Sequence, residues 1–204
     1  MHPELYPMFI DKKRIAQEQE FTNSLHEFLD QQDYWHSFKH VQRVVAFAKE
    51  INRYEDRDIT LIELGASLHQ LHDPNLDKLK VMLDKSSLNK EYRDHLYEIV
   101  EACRPDKISH LNSIEARIIF DADALDLQGP SGFLREFACN VEIRNYDMEY
   151  AVNKALDVQE LFRSKLQTSR ARMICDQMSN VTKEFVDSFR RNEEYMVQIK
   201  GLKY

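Results

Sequence analysis

The sequence predicts an all-α, single-domain helical bundle, on three observations. Glycine and proline are scarce, four and five in 204 residues, so tight turns are few and long elements with short links follow. Apolar residues recur at helical spacing almost throughout, the pattern of helices with one buried face. Strand-type runs rich in Val, Ile and Thr are nearly absent; the one candidate, Ile114 to Phe120, leads straight into a helical run and reads as helix. A chain of this length suits one domain with a sizeable core. No repeat, low-complexity tract or Gly/Ser/Pro-rich linker divides it.

The elements follow in order. A first helix is expected over about 11–31, with Ile15, Phe21, Leu25, Phe28 and Leu29 facing inward. A second runs over about 35–53 and buries Val41, Val44, Val45, Phe47, Ala48 and Ile51. A third spans about 58–72 and stops where Asp73 precedes Pro74, because the residue before proline is pushed out of the α region. A fourth covers about 88–103, and a fifth about 112–127 begins after Asn112 or Ser113, either of which can cap it. The stretch QGPSG at 128–132 is the clearest break, with a short helix after it. Two longer helices, about 148–166 and 170–190, complete a core spanning about 12–190, and residues 191–204 read as a frayed tail.

Composition narrows the function classes. Acidic residues exceed basic ones by 35 to 28, a net charge of −7. Such a chain repels a phosphate backbone, so general nucleic-acid binding is not expected, although a local basic pocket for a small phosphorylated substrate is compatible. Cys103, Cys139 and Cys175 are odd in number and widely spaced, which fits a reducing cytosol better than a disulfide framework. No apolar run reaches 18 residues, and the start MHPELYPMF has no basic region followed by an apolar stretch. Neither a membrane span nor a signal peptide is expected. The C-terminal helices are a candidate homodimer surface.

Imidazole and carboxylate groups hold divalent metals of intermediate hardness. Three places on the expected helices offer them. His36 and His40 lie four apart and share a face of the second helix, with His40 at the edge of the Val41, Val44, Val45 stripe. His72 and Asp73 end an almost wholly apolar third helix, where an unpaired carboxylate behind Leu71 needs a partner. Asp121 and Asp123 follow Ile118, Ile119 and Phe120 on the fifth helix. Each piece alone is weak, since a histidine on an apolar face is usually a packed core residue. Their order and setting make the combination specific.

That combination resembles the HD-domain superfamily of metal-dependent phosphohydrolases, whose signature is H…HD…D on a helical core. The sequence is most similar to its small stand-alone bacterial branch. HVQRV at 40–44 matches the branch's first histidine motif, ASLHQLHD at 66–73 loosely matches its A-x-L-L-H-D setting, and DADALDLQG at 121–129 closely matches D-A-D-x-L-D-x-x-G. Asp77-Lys78, Gly132 to Arg135, Phe162 to Leu166 and Thr168 to Arg172 match further segments, so the likeness covers about residues 12–190. It implies an HD-domain-like bundle that holds a divalent metal ion (Mn, Mg, Ni, Co or Fe) on His40, His72, Asp73 and Asp123. It implies hydrolysis of a nucleotide or small phosphomonoester by a metal-activated water, with Asp73 in the reaction and His36 and His69 as proton carriers. Lys39, Arg43, Lys78, Arg104, His110 and Arg135 are the candidates to bind substrate phosphate. The place where the family usually has His-His reads Cys103-Arg104 here, and the basic residue after the DAD trio is Ala124. These departures motivate a rival reading, a non-catalytic HD module that binds a nucleotide or a protein. A second rival, a diiron HD oxygenase, needs extra histidines, for which His95 and His110 are the candidates.

Overall fold

The computed structural model describes residues 12–31, 37–104, 106–107 and 113–201, with side chains described from Glu20 to Asn192 within those spans. The chain is all-α. Helices α1 (Lys12–Asp30), α2 (Phe38–Glu55) and α3 (Ile59–Leu68) are followed by a 3-10 turn, His69–Leu71. Then come α4 (Leu76–Lys85), α5 (Lys90–Ala102), α6 (Ile114–Asp126), α7 (Gly129–Glu142), α8 (Met148–Ser164) and α9 (Ser169–Gly201). His36 and His110 lie outside the described residues.

Side-chain caps set several starts by satisfying amides that a first turn leaves unpaired. Asp58 accepts from Thr60 N, Asn89 from Tyr92 N, Ser113 from Ala116 N and Asp147 from Tyr150 N. Helix α2 closes on Asp56, whose positive φ of 51° turns the chain out.

Helix α6 is the centre of the fold. Ala116, Ile118, Ile119, Phe120, Ala122, Ala124 and Leu125 are all buried, so its apolar surface runs nearly all round, as a core helix requires. Helix α2 lays His40, Val41, Val44, Ala48 and Ile51 against it. Helix α3 approaches closely at Gly65, where a Cβ would collide with the Ile119 side chain. A main core joins α1 to α6 with the start of α9, and a smaller one around Phe133, Val152, Ala155 and Val186 joins α7, α8 and α9.

Four expectations need correction. The third helix ends at Leu68 and tightens into a 3-10 turn, rather than running on to residue 72. Helix α4 was not expected at all. Its buried Leu79, Met82 and Leu83 carry the helical period, but charges occupy half of its ten positions. The break at 128–132 is the first turn of α7, which opens on Gly129 and Pro130 and runs to 14 residues. Proline suits that turn because its missing N–H would be unpaired there anyway. Helix α9 also runs past the expected end near 190, to Gly201.

Candidate metal centre

Helix α2, the 3-10 turn and α6 bring His40, His69 and Asp123 to one point. His40 Nε2 lies 3.1 Å from His69 Nε2 and 3.4 Å from Asp123 Oδ1, and His69 Nε2 lies 3.7 Å from that oxygen. Both histidines are buried, and Asp123 is half-open to the cavity above them.

The other ring nitrogen of each histidine is occupied. His69 Nδ1 donates to the Ala66 carbonyl at 2.7 Å. His40 Nδ1 donates to Asp126 Oδ2 at 2.7 Å. Asp126 is itself held by Arg43, whose Nε donates at 2.6 Å and Nη2 at 3.0 Å, and by Arg135. Burial alone would raise the Asp126 pKa, but the hydrogen bonds from His40 and Arg43 and the charge of Arg135 outweigh it and hold the carboxyl well below its usual range. It is therefore an anion that fixes the His40 ring with its proton on Nδ1. Burial lowers the His69 pKa, partly offset by the charge of Asp123, and keeps that ring neutral.

With His40 in its neutral form, this arrangement leaves two imidazole lone pairs and a carboxylate oxygen facing one another, three acceptors with no donor between them. A cation resolves that conflict. A triangle of this size leaves room for an ion about 2 Å from each corner, the bond length of imidazole and carboxylate ligands to a divalent transition metal. A carboxylate or a backbone carbonyl behind each ligating histidine is also the arrangement metal sites use to set the tautomer. The donor set fits a divalent metal ion.

The expected ligands divide. His40 and Asp123 meet at the centre, and the residue that joins them is His69, expected as a proton carrier. His72 lies in the extended segment after the 3-10 turn and lines the same cavity, with Nδ1 donating to the Asp73 carbonyl at 2.9 Å. Asp73 is exposed, and its carboxylate pairs with Arg104 Nη1 at 2.7 Å. The geometry therefore puts His69-Gln70 where the His72-Asp73 pair was expected. Asp121 is fully buried and turned away: it accepts from the amides of Gln167 and Thr168 and from the Thr168 hydroxyl at 2.7–2.8 Å, holding the chain that enters α9.

The cavity above these three candidate ligands has a volume of about 340 Å³. Gln70, His72 and Asp123 lie on one side, Arg135, Glu136, Cys139 and Arg144 on another, and Val158 and Phe162 supply apolar surface. Of the expected phosphate binders among the described residues, Arg135 alone lines it. Arg43 grips Asp126, Lys78 sits over the Phe28 ring at 5.4 Å, and Arg104 is divided between Asp73 and Asp106. Lys39 is exposed beside His40 on α2 without lining the cavity. Arg144, which the sequence reading missed, lines the cavity and donates to Glu136 at 2.5 Å and to Asn140. His95 lines a separate surface cleft with Lys90, Asp94 and Glu98, so it cannot complete a diiron site. A larger cavity of about 760 Å³ lies between α8 and α9. Among the described residues, the one cluster of metal-ligating groups is at the smaller cavity.

The fold is that of the HD-superfamily hydrolases. The chain superposes on an HD-superfamily hydrolase from Bacillus thuringiensis with a TM-score of 0.70 and 22% identity, over 90% of this chain and 99% of that one. It superposes equally on YpgQ of Bacillus subtilis in complex with ADP, with a TM-score of 0.70 and 21% identity over 88% and 96% of the two chains. In sequence, the uncharacterized protein YpgQ is 26% identical over 137 residues, 61% of this chain and 67% of that protein. No family model matches the chain.

Proposed function

We propose that this chain is a metal-dependent phosphohydrolase acting on a nucleotide or a small phosphomonoester. The carrying observation is the meeting of His40 Nε2, His69 Nε2 and Asp123 Oδ1 within 3.1–3.7 Å of one another. His40, His69 and Asp123 would hold a divalent metal ion, which would supply Lewis-acid polarisation of a phosphoryl oxygen and activation of water.

The remaining work falls to the chain itself. Asp126 and the Ala66 carbonyl engage Nδ1 of the two rings, so that both Nε2 atoms face Asp123. Arg144 offers the fork of donors that suits a phosphate, and Arg135 adds positive charge on the same wall. Val158 and Phe162 supply apolar surface to the cavity. His72 is the imidazole placed to carry a proton, since it lines the cavity outside the three-residue cluster. The cavity volume lies at the lower end of the range for small-ligand sites. The ADP complex of YpgQ supports a phosphorylated ligand for such a cavity.

The protein stripped of metal and reloaded with Mn²⁺, Ni²⁺ or Co²⁺ should release phosphate from at least one nucleotide or phosphomonoester. His69→Ala and Asp123→Ala should abolish release. No turnover with any metal, or turnover unchanged in Asp123→Ala, contradicts the reading.

One observation favours a second reading, a module that binds a nucleotide without hydrolysing it. Gln70 follows His69, whereas the expected His72-Asp73 pair has an acid behind its histidine, and an amide cannot accept a proton. Nucleotide binding without turnover in the same screen would select it. We assign the protein to the cytosol on its three widely spaced cysteines, which form no disulfide; among the described residues no helix is long and apolar enough to cross a membrane. A homodimer remains part of the reading, with Leu134 on α7 and Phe185 on α9 exposed as apolar surface for it.

A further inference from the structure

Gln70 follows His69 in the 3-10 turn and lines the metal-site cavity. Its Oε1 and Nε2 are both buried, and neither has a hydrogen-bond partner. Leaving a buried amide unpaired costs roughly 1–3 kcal/mol per polar group, so such a side chain calls for a partner that occupies the cavity. An amide oxygen is a competent metal ligand, and an amide N–H donates to an anionic oxygen.

Charge gives the choice of residue a consequence. Two neutral imidazoles and the Asp123 carboxylate carry one negative charge between them, and an amide adds none. A divalent ion at the centre would keep a net charge of about +1, where a carboxylate at position 70 would have cancelled it. Magnesium relies on carboxylate and water oxygens, whereas imidazole suits nickel, cobalt and their neighbours. Removing one carboxylate therefore weakens the site most for magnesium.

We propose that Gln70 Oε1 is a fourth, neutral protein ligand of the His40–His69–Asp123 centre, and that it tunes the centre to nitrogen-seeking transition cations and against Mg²⁺. The residual positive charge and the free Nε2–H together favour an anionic phosphoryl oxygen in the cavity. The proposal rests on the three-residue metal centre proposed above.

Calorimetric titration of the chelator-stripped full chain with Ni²⁺, Mn²⁺ and Mg²⁺ tests it directly. The wild type should bind one Ni²⁺ and bind Mg²⁺ far more weakly. Gln70→Ala should weaken Ni²⁺ binding by roughly 10–100-fold. Gln70→Glu keeps the shape and restores a charge; it should tighten binding by a similar factor and bring in Mg²⁺. His69→Ala should abolish binding, and circular dichroism of each variant reports that it is folded. Unchanged Ni²⁺ affinity in both Gln70 variants, with binding lost in His69→Ala, overturns the role of Gln70 and leaves the centre standing. A wild type that binds no metal overturns the centre and the role of Gln70 with it.

Discussion

Asp126 shows how much one side chain can organise. It takes the Nδ1 proton of His40, a two-point grip from Arg43 and a further bond from Arg135, while almost wholly buried. Asp126→Ala leaves Arg135 without its carboxylate and frees the His40 ring. We expect a stability loss of roughly 3 kcal/mol in denaturant titration and metal affinity reduced about 10–100-fold in calorimetry. Asp121 is the opposite case. Burial pushes its carboxyl up to about 6, against bonds from Gln167 and Thr168 that act to lower it. A carboxyl whose folded pKa is raised contributes stability that is present below its unfolded value, about 3.9, and is lost as pH rises through the folded value. The stability of the wild type relative to Asp121→Asn should therefore fall between pH 4 and pH 7, by an amount on the order of 2 kcal/mol; a constant difference would contradict the assignment. At this scale the sequence was partly legible. His40 and Asp123 stood on apolar helix faces and were found. His69 and His72 are three apart, each following a buried leucine, and their spacing could not show that the helix would tighten between them. Asp126 carried a faint signal as an acid directly behind buried Leu125.

Helices set the ligands by where they start, end and touch. The turn from α6 into α7 is the tightest joint, for a Cβ on Gly132 would overlap the Leu127 backbone, which cannot yield. At Gly65 a Cβ meets the end of the Ile119 side chain, which can move. Gly132→Ala should therefore lower Tm more than Gly65→Ala, with a cost of at least about 1–3 kcal/mol at Gly132. Equal effects would mean that the α6–α7 joint is more pliable than its packing indicates. Seven of the helices were legible because their apolar period survives along their length. Helix α4 was hidden because it is short and heavily charged. The start of α7 was hidden because glycine and proline, which usually break a helix, here form its first turn.

Over the whole molecule, the centre draws on α2, the turn after α3 and α6, and so ties together three elements of the main core. Binding to the folded state alone stabilises it by about 2.7 kcal/mol at a hundredfold excess over Kd. For a chain of this size that is a rise in Tm of roughly 5–10 °C, and it should vanish in His40→Ala. The all-α class was legible because glycine, proline and strand-type runs are scarce everywhere in the chain, whereas the meeting of residues 40, 69 and 123 depends on contacts that no local pattern carries. The central claim is that His40, His69 and Asp123 hold one divalent ion, with His69 rather than His72 as the middle ligand. Metal titration of His69→Ala beside His72→Ala tests it most directly. The account predicts that His72→Ala takes up one ion as the wild type does and that His69→Ala takes up none; retention by His69→Ala and loss by His72→Ala would contradict it.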